Sequence, residues 1–372
     1  MIVRPSSAAR ISQCPGSIRA EAAFPELEPS VEAEEGTAAH WVAQVLAATG
    51  SAVPEGALAP NGTVVTNEMS LGARLLVDTI NGDLSAFGLS ARNCNIERLI
   101  KIPRVHPNCQ GTPDYSIWAS PRALRVWDYK FGHRYVEVFE NPQVSTYAAG
   151  EIEEAGVRDI DVEVHLCIIQ PRSFHPEGPV RRWVTNGAHL RGVLNLFSNY
   201  AHEGLDNPNP RYMTGPECLD CNARHACDAL ASSGYKCVDE STRRSPHLLD
   251  AASLGRELAI LSDARDRLKA RHEGLIADAM ARSRAGTRIP GWTIERSSGR
   301  RVWSVPADQV IQMGLLLGKD LAKPREAITP RQAEDAGFDP TVIAAVSRHN
   351  AGAPTLVRDT GVAARKAFGN FT

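Results

Sequence analysis

Apolar residues recur at helical spacing through three N-terminal segments, with residues typical of helix ends around them. The first segment starts at Ala8 and is interrupted by Pro15-Gly16, whereas the second begins near Glu34 and stops at Gly50. The third segment covers Asn67 to Leu84. The pattern therefore predicts that the chain opens with three helices.

After residue 94 the apolar positions change to a period of two, which is typical of strands. Strands are predicted over residues 95–102, 114–118 and 123–130, and the most apolar strand runs from Val162 to Gln170. A predicted helix through residues 143–149 separates the last two strands. This order of elements predicts an α/β fold, in which a mixed central sheet is flanked by helices.

Beyond residue 246 five leucines recur at spacings of three, four and seven among charged residues, which predicts one long amphipathic helix over residues 250–284. They are Leu254, Leu258, Leu261, Leu268 and Leu275. This helix would be either a coiled-coil arm or a helix packed across the core. We predict a first domain over residues 1–240 and a mainly helical C-terminal extension over residues 241–372, which ends in a small appended unit.

The composition excludes several classes of protein. Among 372 residues, 41 Lys and Arg oppose 43 Asp and Glu, and 43% are hydrophobic, which excludes a disordered chain. The sequence shows neither a run long enough to span a bilayer nor a signal-peptide stretch, so we expect a cytoplasmic protein with no membrane partner. The near-neutral charge argues against coating nucleic acid through bulk charge, but a local basic groove stays possible.

Two aspartates and a lysine lie where two predicted strands meet. Pro113-Asp114 starts one strand and Asp128-Tyr129-Lys130 ends the next, so a hairpin would place Asp114 beside Asp128. Asp128 and Lys130 share a face because side chains alternate along a strand. Two carboxylates can hold Mg²⁺ or Mn²⁺. The lysine can orient or help to deprotonate an attacking water, or stabilise charge on a phosphate.

Three further polar residues accompany this group. His40 on the second helix is a candidate metal ligand, and Gln143 and Tyr147 share one face of the later helix, where they could contact phosphates or position Lys130. Taken one at a time, these features also fit a solvated strand, a packed histidine and an ordinary helix face. Their joint order along the chain is what favours a functional site.

Cysteine spacing points to a second inorganic site. Cys218, Cys221 and Cys227 are close enough in sequence for their thiolates to converge, and Cys14 in its Pro-Gly turn is the candidate fourth ligand. Thiolates suit either Zn²⁺ or an iron–sulfur cluster. The other cysteines are expected to be buried small hydrophobes, apart from Cys237, a spare candidate ligand.

The order His40, Pro113-Asp114, Asp128-Tyr129-Lys130 and Gln143-x-x-x-Tyr147 resembles the PD-(D/E)XK nuclease superfamily, particularly its RecB-like branch. The resemblance implies metal-dependent hydrolysis of phosphodiester bonds in DNA. It implies that His40, Asp114, Asp128 and the backbone carbonyl of Tyr129 bind the metal. Lys130 would then be the catalytic lysine, and Gln143 with Tyr147 its supporting motif.

One early and three late cysteines resemble the iron–sulfur subset of those nucleases, which implies a 4Fe–4S cluster on Cys14, Cys218, Cys221 and Cys227. The segments around Cys14 and His40, together with Ile289-Pro290-Gly291-Trp292 and residues 352–357, are similar to a phage-associated RecB-like family. That similarity implies a role in phage DNA recombination or processing, in the cytoplasm of a bacterial host.

Our leading hypothesis is a Mg²⁺- or Mn²⁺-dependent DNA exonuclease with a 4Fe–4S cluster. Its expected partners are DNA and a single-strand annealing or other recombination protein. The first alternative is a non-catalytic DNA-binding or recombination-assembly factor whose cysteines bind zinc. The second is a structure-selective endonuclease, because hydrolytic residues do not distinguish end-dependent from internal cutting. An oligomer is compatible with each of these three hypotheses.

Overall fold

The computed structural model describes residues 1–24, 29–158, 162–173, 175–240, 249–294, 307–316 and 365–367. The chain divides into two compact units, one formed by Met1–Ala279 with Arg358–Thr372 and the other by Met280–Val357. The first unit holds every candidate site residue. In the second unit, the described residues include the end of a long helix and one short helix.

Helices α1 to α4 open the chain and end at local signals in the sequence. They cover Ala8–Gln13, Ser17–Ala22, Val31–Thr49 and Asn67–Leu84. The Ser30 side chain accepts a hydrogen bond from the Ala33 amide at the start of α3, and Thr66 caps α4 in the same way. Gly50 ends α3 with a φ of 75°, a left-handed conformation that glycine adopts without strain.

A five-stranded mixed sheet forms the centre of the first unit, in the order β1-β4-β5-β6-β7. Its strands are β1 (Asn95–Ile96), β4 (Tyr115–Ser120), β5 (Ala123–Tyr129), β6 (Glu163–Ile169) and β7 (Val180–Asn186). In this sheet only β5 and β6 are parallel neighbours. Helix α5 (Pro142–Ala155) connects them and returns the chain to the end of the sheet at which β5 begins. The mixed α/β fold with flanking helices is therefore confirmed.

Both faces of this sheet are buried. Leu124 and Val126 of β5 lie in a core with α5 and with α6 (Gly187–Asp206), while Trp127 and Tyr129 lie in a second core with α3 and α4. Successive side chains of a strand point to opposite faces, so β5 supplies both cores. Asp128 and Lys130 consequently emerge on the face that α5 covers.

The prediction of one strand over residues 95–102 is wrong. The segment forms β1 and a separate strand β2 (Ile100–Lys101), which pairs with β3 (Gln110–Gly111) in a two-stranded sheet. Glu97 interrupts the strand with a φ of 45°, and the Arg98 side chain turns to carboxylates on α5. A local alternation of residue types does not reveal such a tertiary ion pair.

Strand β7 and helix α6 were missed by the sequence prediction. Two arginines hide the β7 pattern, since Arg181 is buried and its guanidinium donates to the Gln170 side chain and the Val136 carbonyl. Helix α6 follows β7 directly, with the Asn186 side chain accepting from the His189 amide at its start. The sequence analysis had placed no element there.

The long C-terminal helix is present as α8 (Ala251–Arg284), after α7 (Asp228–Glu240) and before α9 (Ala307–Leu316). Its buried residues are Ala270 and Gly274, and Gly274 fits closely against the Arg224 side chain. The five predicted apolar leucines remain 38–58% exposed. Among the described residues no helix is both long enough and apolar enough to cross a membrane.

Candidate metal centre and cysteine cavity

The β4–β5 hairpin places the two predicted aspartates side by side. Tyr115 pairs with Trp127 in the antiparallel register, which leaves Asp114 next to the end of β5. The Tyr129 amide donates a hydrogen bond of 2.7 Å to Asp114 Oδ2. The Tyr129 ring lies in the opposite core, where it packs edge-on against the His40 ring with 5.3 Å between the centroids, and its backbone faces Asp114.

Asp128, Lys130 and Gln143 form one hydrogen-bonded group. Lys130 Nζ donates to Asp128 Oδ1 at 3.2 Å and to Gln143 Oε1 at 3.1 Å, while Gln143 Nε2 donates to Asp128 Oδ1 at 3.2 Å. The Asn141 side chain caps α5 and Pro142 starts it, which fixes Gln143 in the first turn of the helix. The structure thus brings the predicted lysine and its supporting glutamine together.

Tyr147 lies one turn further along α5 and is buried. Burial raises the pKa of its phenol, although a hydrogen bond with the Gln143 side chain acts in the opposite direction. The ring packs close to Gly111, where an added Cβ would lie 3.0 Å from Tyr147 Cε1. Tyr147 therefore reaches the centre through Gln143.

The pKa values of the charged groups indicate which role each can take. Burial raises the pKa of Asp114 to about 6, and the Asp128 carboxylate adds to this shift while His40 and Lys130 oppose it. Burial disfavours the Lys130 ammonium, but Asp128 and Asp114 outweigh it and raise the pKa of this lysine. Lys130 is accordingly an ammonium ion at neutral pH, which suits stabilisation of charge better than removal of a proton from water.

His40 and Asp114 lie together with a residue that the sequence analysis had placed on an ordinary strand. His40 Nδ1 is 3.6 Å from Asp114 Oδ1, and a Glu97 oxygen completes a group whose donor atoms are all within 4.8 Å of one another. Glu97 reaches this place because its amide donates to the Asp114 carbonyl at 3.1 Å. No signal in the sequence singles it out, since the contact depends on the pairing of β1 with β4.

The donor set suits a divalent cation. Asp128 is 1% exposed, and its Oδ2 atom has no hydrogen bond even though Lys130 Nζ lies 3.0 Å away. A buried carboxylate oxygen without such a partner is costly unless something else satisfies it. Mn²⁺ binds both imidazole nitrogen and carboxylate oxygen. Mg²⁺ prefers oxygen ligands, which the carboxylates supply. The residues present therefore fit a metal ion.

The four predicted cysteines converge although about 200 residues separate the first from the others. Cys14, Cys218, Cys221 and Cys227 line one small cavity beside Leu230. Cys14 Sγ accepts from the Met213 amide at 3.3 Å, and Cys218 Sγ accepts from the Gly215 amide at 3.4 Å. These hydrogen bonds favour the thiolate, but burial outweighs them and raises the pKa of Cys14 and Cys218. The four residues suit an inorganic group that displaces the thiol protons as it binds.

The other four cysteines lie outside the cavity, three of them in or against the two cores and one on α7. Cys109 and Cys167 are buried in the two cores, and Cys94 packs against the second of them. Burial raises the pKa of each of these three thiols to about 12, so they are protonated and unreactive. Cys237 lies on α7 and does not line the cavity of the four cysteines.

A second group of possible ligands lies on the α6 side of the sheet. The donor atoms of His106, His202 and Asp206 are within 4.8 Å of one another. His106 Nδ1 accepts from the Asn108 amide at 3.0 Å, so a neutral ring carries its proton on Nε2, facing Asp206 at 3.4 Å. The group is thus satisfied as a hydrogen-bonded cluster.

A family model matches most of the chain. Residues 2–359 match the family described as "Protein of unknown function (DUF2800)". The matched region includes the candidate metal ligands, the cysteine cavity and α8. The description itself names no activity, so the chemistry has to be argued from the side chains.

Proposed function

Because this chain belongs to the DUF2800 family, whose description names no activity, we propose its function from the site itself. We propose that the protein is a Mg²⁺- or Mn²⁺-dependent deoxyribonuclease that hydrolyses phosphodiester bonds, and that it acts as an exonuclease. The observation that carries the proposal is the contact of the buried Asp128 carboxylate with an ammonium Lys130 at 3.0 Å, beside Asp114. This arrangement is suited to phosphate chemistry.

Each residue has a role that follows from its contacts. His40, Asp114 and Asp128 would hold the metal, with the Tyr129 carbonyl as a further ligand, and the bound metal would supply an activated water and charge neutralisation. Lys130 presents its ammonium to the phosphate and stabilises the negative charge that develops on the oxygens. Gln143 holds the side chains of Lys130 and Asp128 in position through its hydrogen bonds to both, and Tyr147 packs behind Gln143.

The cysteine cavity supports a structural role for a second inorganic group. We propose that Cys14, Cys218, Cys221 and Cys227, which line one cavity, bind a 4Fe–4S cluster, with Zn²⁺ as the alternative. The preference for the cluster rests on the resemblance to the iron–sulfur subset of RecB-like nucleases. Such a group joins the start of the unit to its end across a loop of about 200 residues. Its loss would therefore loosen the packing that positions the metal centre.

The proposed setting is phage DNA recombination or processing in the cytoplasm of a bacterial host, with DNA as the partner and a recombination protein as a further one. This part rests on the resemblance of the Asp-Tyr-Lys and cysteine motifs to RecB-like nucleases. The exonuclease preference rests on the same resemblance. A structure-selective endonuclease uses the same residues, and only the substrate assay separates the two.

The test begins with protein purified without oxygen, whose iron content and visible absorption are measured. End-labelled linear DNA and circular DNA are then incubated with the protein and Mg²⁺ or Mn²⁺. We expect a brown protein that degrades linear DNA and spares circular DNA. Cleavage of circular DNA would indicate the endonuclease, and a colourless zinc protein inactive on both would indicate the DNA-binding factor.

Two variants assign the activity to this site. Lys130→Ala and Asp114→Ala should each lower the cleavage rate by at least about 10²-fold, because each removes a charge that acts on the phosphate or on the metal. The matched controls are Lys101→Ala and Asp78→Asn, at exposed positions outside the site. Circular dichroism should show that all four variants fold, and unchanged cleavage in Lys130→Ala would refute the proposal.

A further inference from the structure

We infer that Glu97 is a ligand of the metal ion, together with His40 and Asp114. Their donor atoms are all within 4.8 Å of one another, whereas the described residues give no such group that includes Asp128. Asp114 Oδ2 accepts the Tyr129 amide, which leaves Oδ1, the oxygen 3.6 Å from His40 Nδ1, for the cation. This inference deepens the proposed function, on whose metal centre it rests, and names a carboxylate that the resemblance does not include.

The backbone around Glu97 is fixed from two sides. The Glu97 amide donates to the Asp114 carbonyl at 3.1 Å, so the two candidate ligands are tied through the main chain. The next residue, Arg98, reaches the buried Glu151 carboxylate on α5 at 2.7 Å. Glu97 has a φ of 45°, which is costly for a residue with a side chain. These contacts fix the Glu97 backbone beside Asp114, while its side chain is exposed to solvent.

The group opens into a cavity that a substrate can enter. His40 and Glu97 line a cavity of about 540 Å³, whose other walls include Trp41, Gln44 and Asn61. This space admits a hydrated cation and a nucleotide together.

The ligand types select among cations. One imidazole and two carboxylates suit Mn²⁺ better than Ca²⁺, which takes six to eight oxygen ligands, or Mg²⁺, which rarely accepts nitrogen. Glu97 adds a second carboxylate beside the His40 imidazole, so it should increase the affinity for a divalent ion and favour Mn²⁺. We therefore expect this group to bind Mn²⁺.

The test measures Mn²⁺ binding to the metal-stripped full chain without DNA, by the electron paramagnetic resonance signal of free Mn²⁺. Glu97→Gln should raise the Kd for Mn²⁺ by at least about tenfold, as expected when a residue of a metal site is lost. Glu55→Gln is the matched control, since it makes the same chemical change at an exposed position and should leave the Kd within twofold. An unchanged Kd in folded Glu97→Gln would overturn the inference.

A second variant separates binding from folding. Glu97→Gly removes the carboxylate and relieves the positive φ, so the variant should be at least as stable to heat as the wild type while binding Mn²⁺ as weakly as Glu97→Gln. Wild-type binding in this variant, or a wild type that takes up no Mn²⁺, would also overturn the inference. Neither result depends on cleavage, so failure of the nuclease proposal in the Lys130→Ala assay remains a separate outcome.

Discussion

Arg98 fastens the segment between β1 and β2 to helix α5, and its removal should be measurable as a loss of stability. Its guanidinium Nη2 is 2.7 Å from Glu151 Oε2, and Nη1 is 2.8 Å from Glu154 Oε2. Glu151 is 2% exposed, and its other oxygen accepts a 2.6 Å hydrogen bond from Ser116 Oγ. Glu154, in contrast, has a side chain that is 49% exposed. The two ion pairs of Arg98 should therefore differ in strength.

The magnitude follows from this difference in burial. A hydrogen bond to a buried charged group contributes about 1.5–3 kcal/mol, whereas an exposed ion pair contributes about 0.2–1 kcal/mol. Breaking a fully buried pair costs about 3–5 kcal/mol, but the Arg98 side chain is 35% exposed, so water can replace part of its interaction. We expect Arg98→Met, which keeps the aliphatic stem, to lower the free energy of unfolding by about 2 kcal/mol.

The assay is a pair of double-mutant cycles from urea unfolding. One cycle combines Arg98→Met with Glu151→Gln, and the other combines it with Glu154→Gln. The coupling energy should be about 1.5–2 kcal/mol for Glu151 and below about 0.5 kcal/mol for Glu154. A coupling to Glu154 equal to or larger than that to Glu151 would refute the argument that burial decides the strength of these pairs.

Three further predictions concern packing, the cysteines and pH. Gly150→Ala should lower the free energy of unfolding by about 1–3 kcal/mol, because the added Cβ would lie 2.7 Å from Ile102 Cγ1. Cys14→Ser should abolish the visible absorption and lower the iron content of anaerobically purified protein. The Mn²⁺ affinity should fall as the pH drops below about 6, because Asp114, whose pKa is raised to about 6, must lose its proton to bind.

The packing prediction and the cysteine prediction each have a control at a matched position. Gly36→Ala on α3 meets nothing within 4 Å and should be neutral or stabilising, as alanine favours a helix. Cys237→Ser should keep the iron and the absorption. A metal affinity that falls only near pH 4 would show that Asp114 titrates as an ordinary carboxyl, and iron retained in Cys14→Ser would remove this cysteine from the ligand set.

The sequence determined the elements whose signals are local. Helix α4 begins at Asn67 and ends at Leu84 as its apolar spacing predicts, since the Thr66 cap lies within the same few residues as the helix that it starts. Asp128 and Lys130 were placed on one face of β5, because alternation along a strand is a property of neighbouring residues. The order of the predicted ligands along the chain needed no tertiary information either.

Only the tertiary structure decided which distant groups meet. Cys14 joins Cys218 because α1 and the turn that begins at Pro216 pack together, and no pattern within either segment states this contact. Glu97 lies in the metal centre because β1 pairs with β4, although its alternation with Ile96 suggests an ordinary strand. Hydrophobic periodicity records which face of an element is buried. Which charged side chains then share a site depends on strand register and helix packing, whose energies come from the whole core.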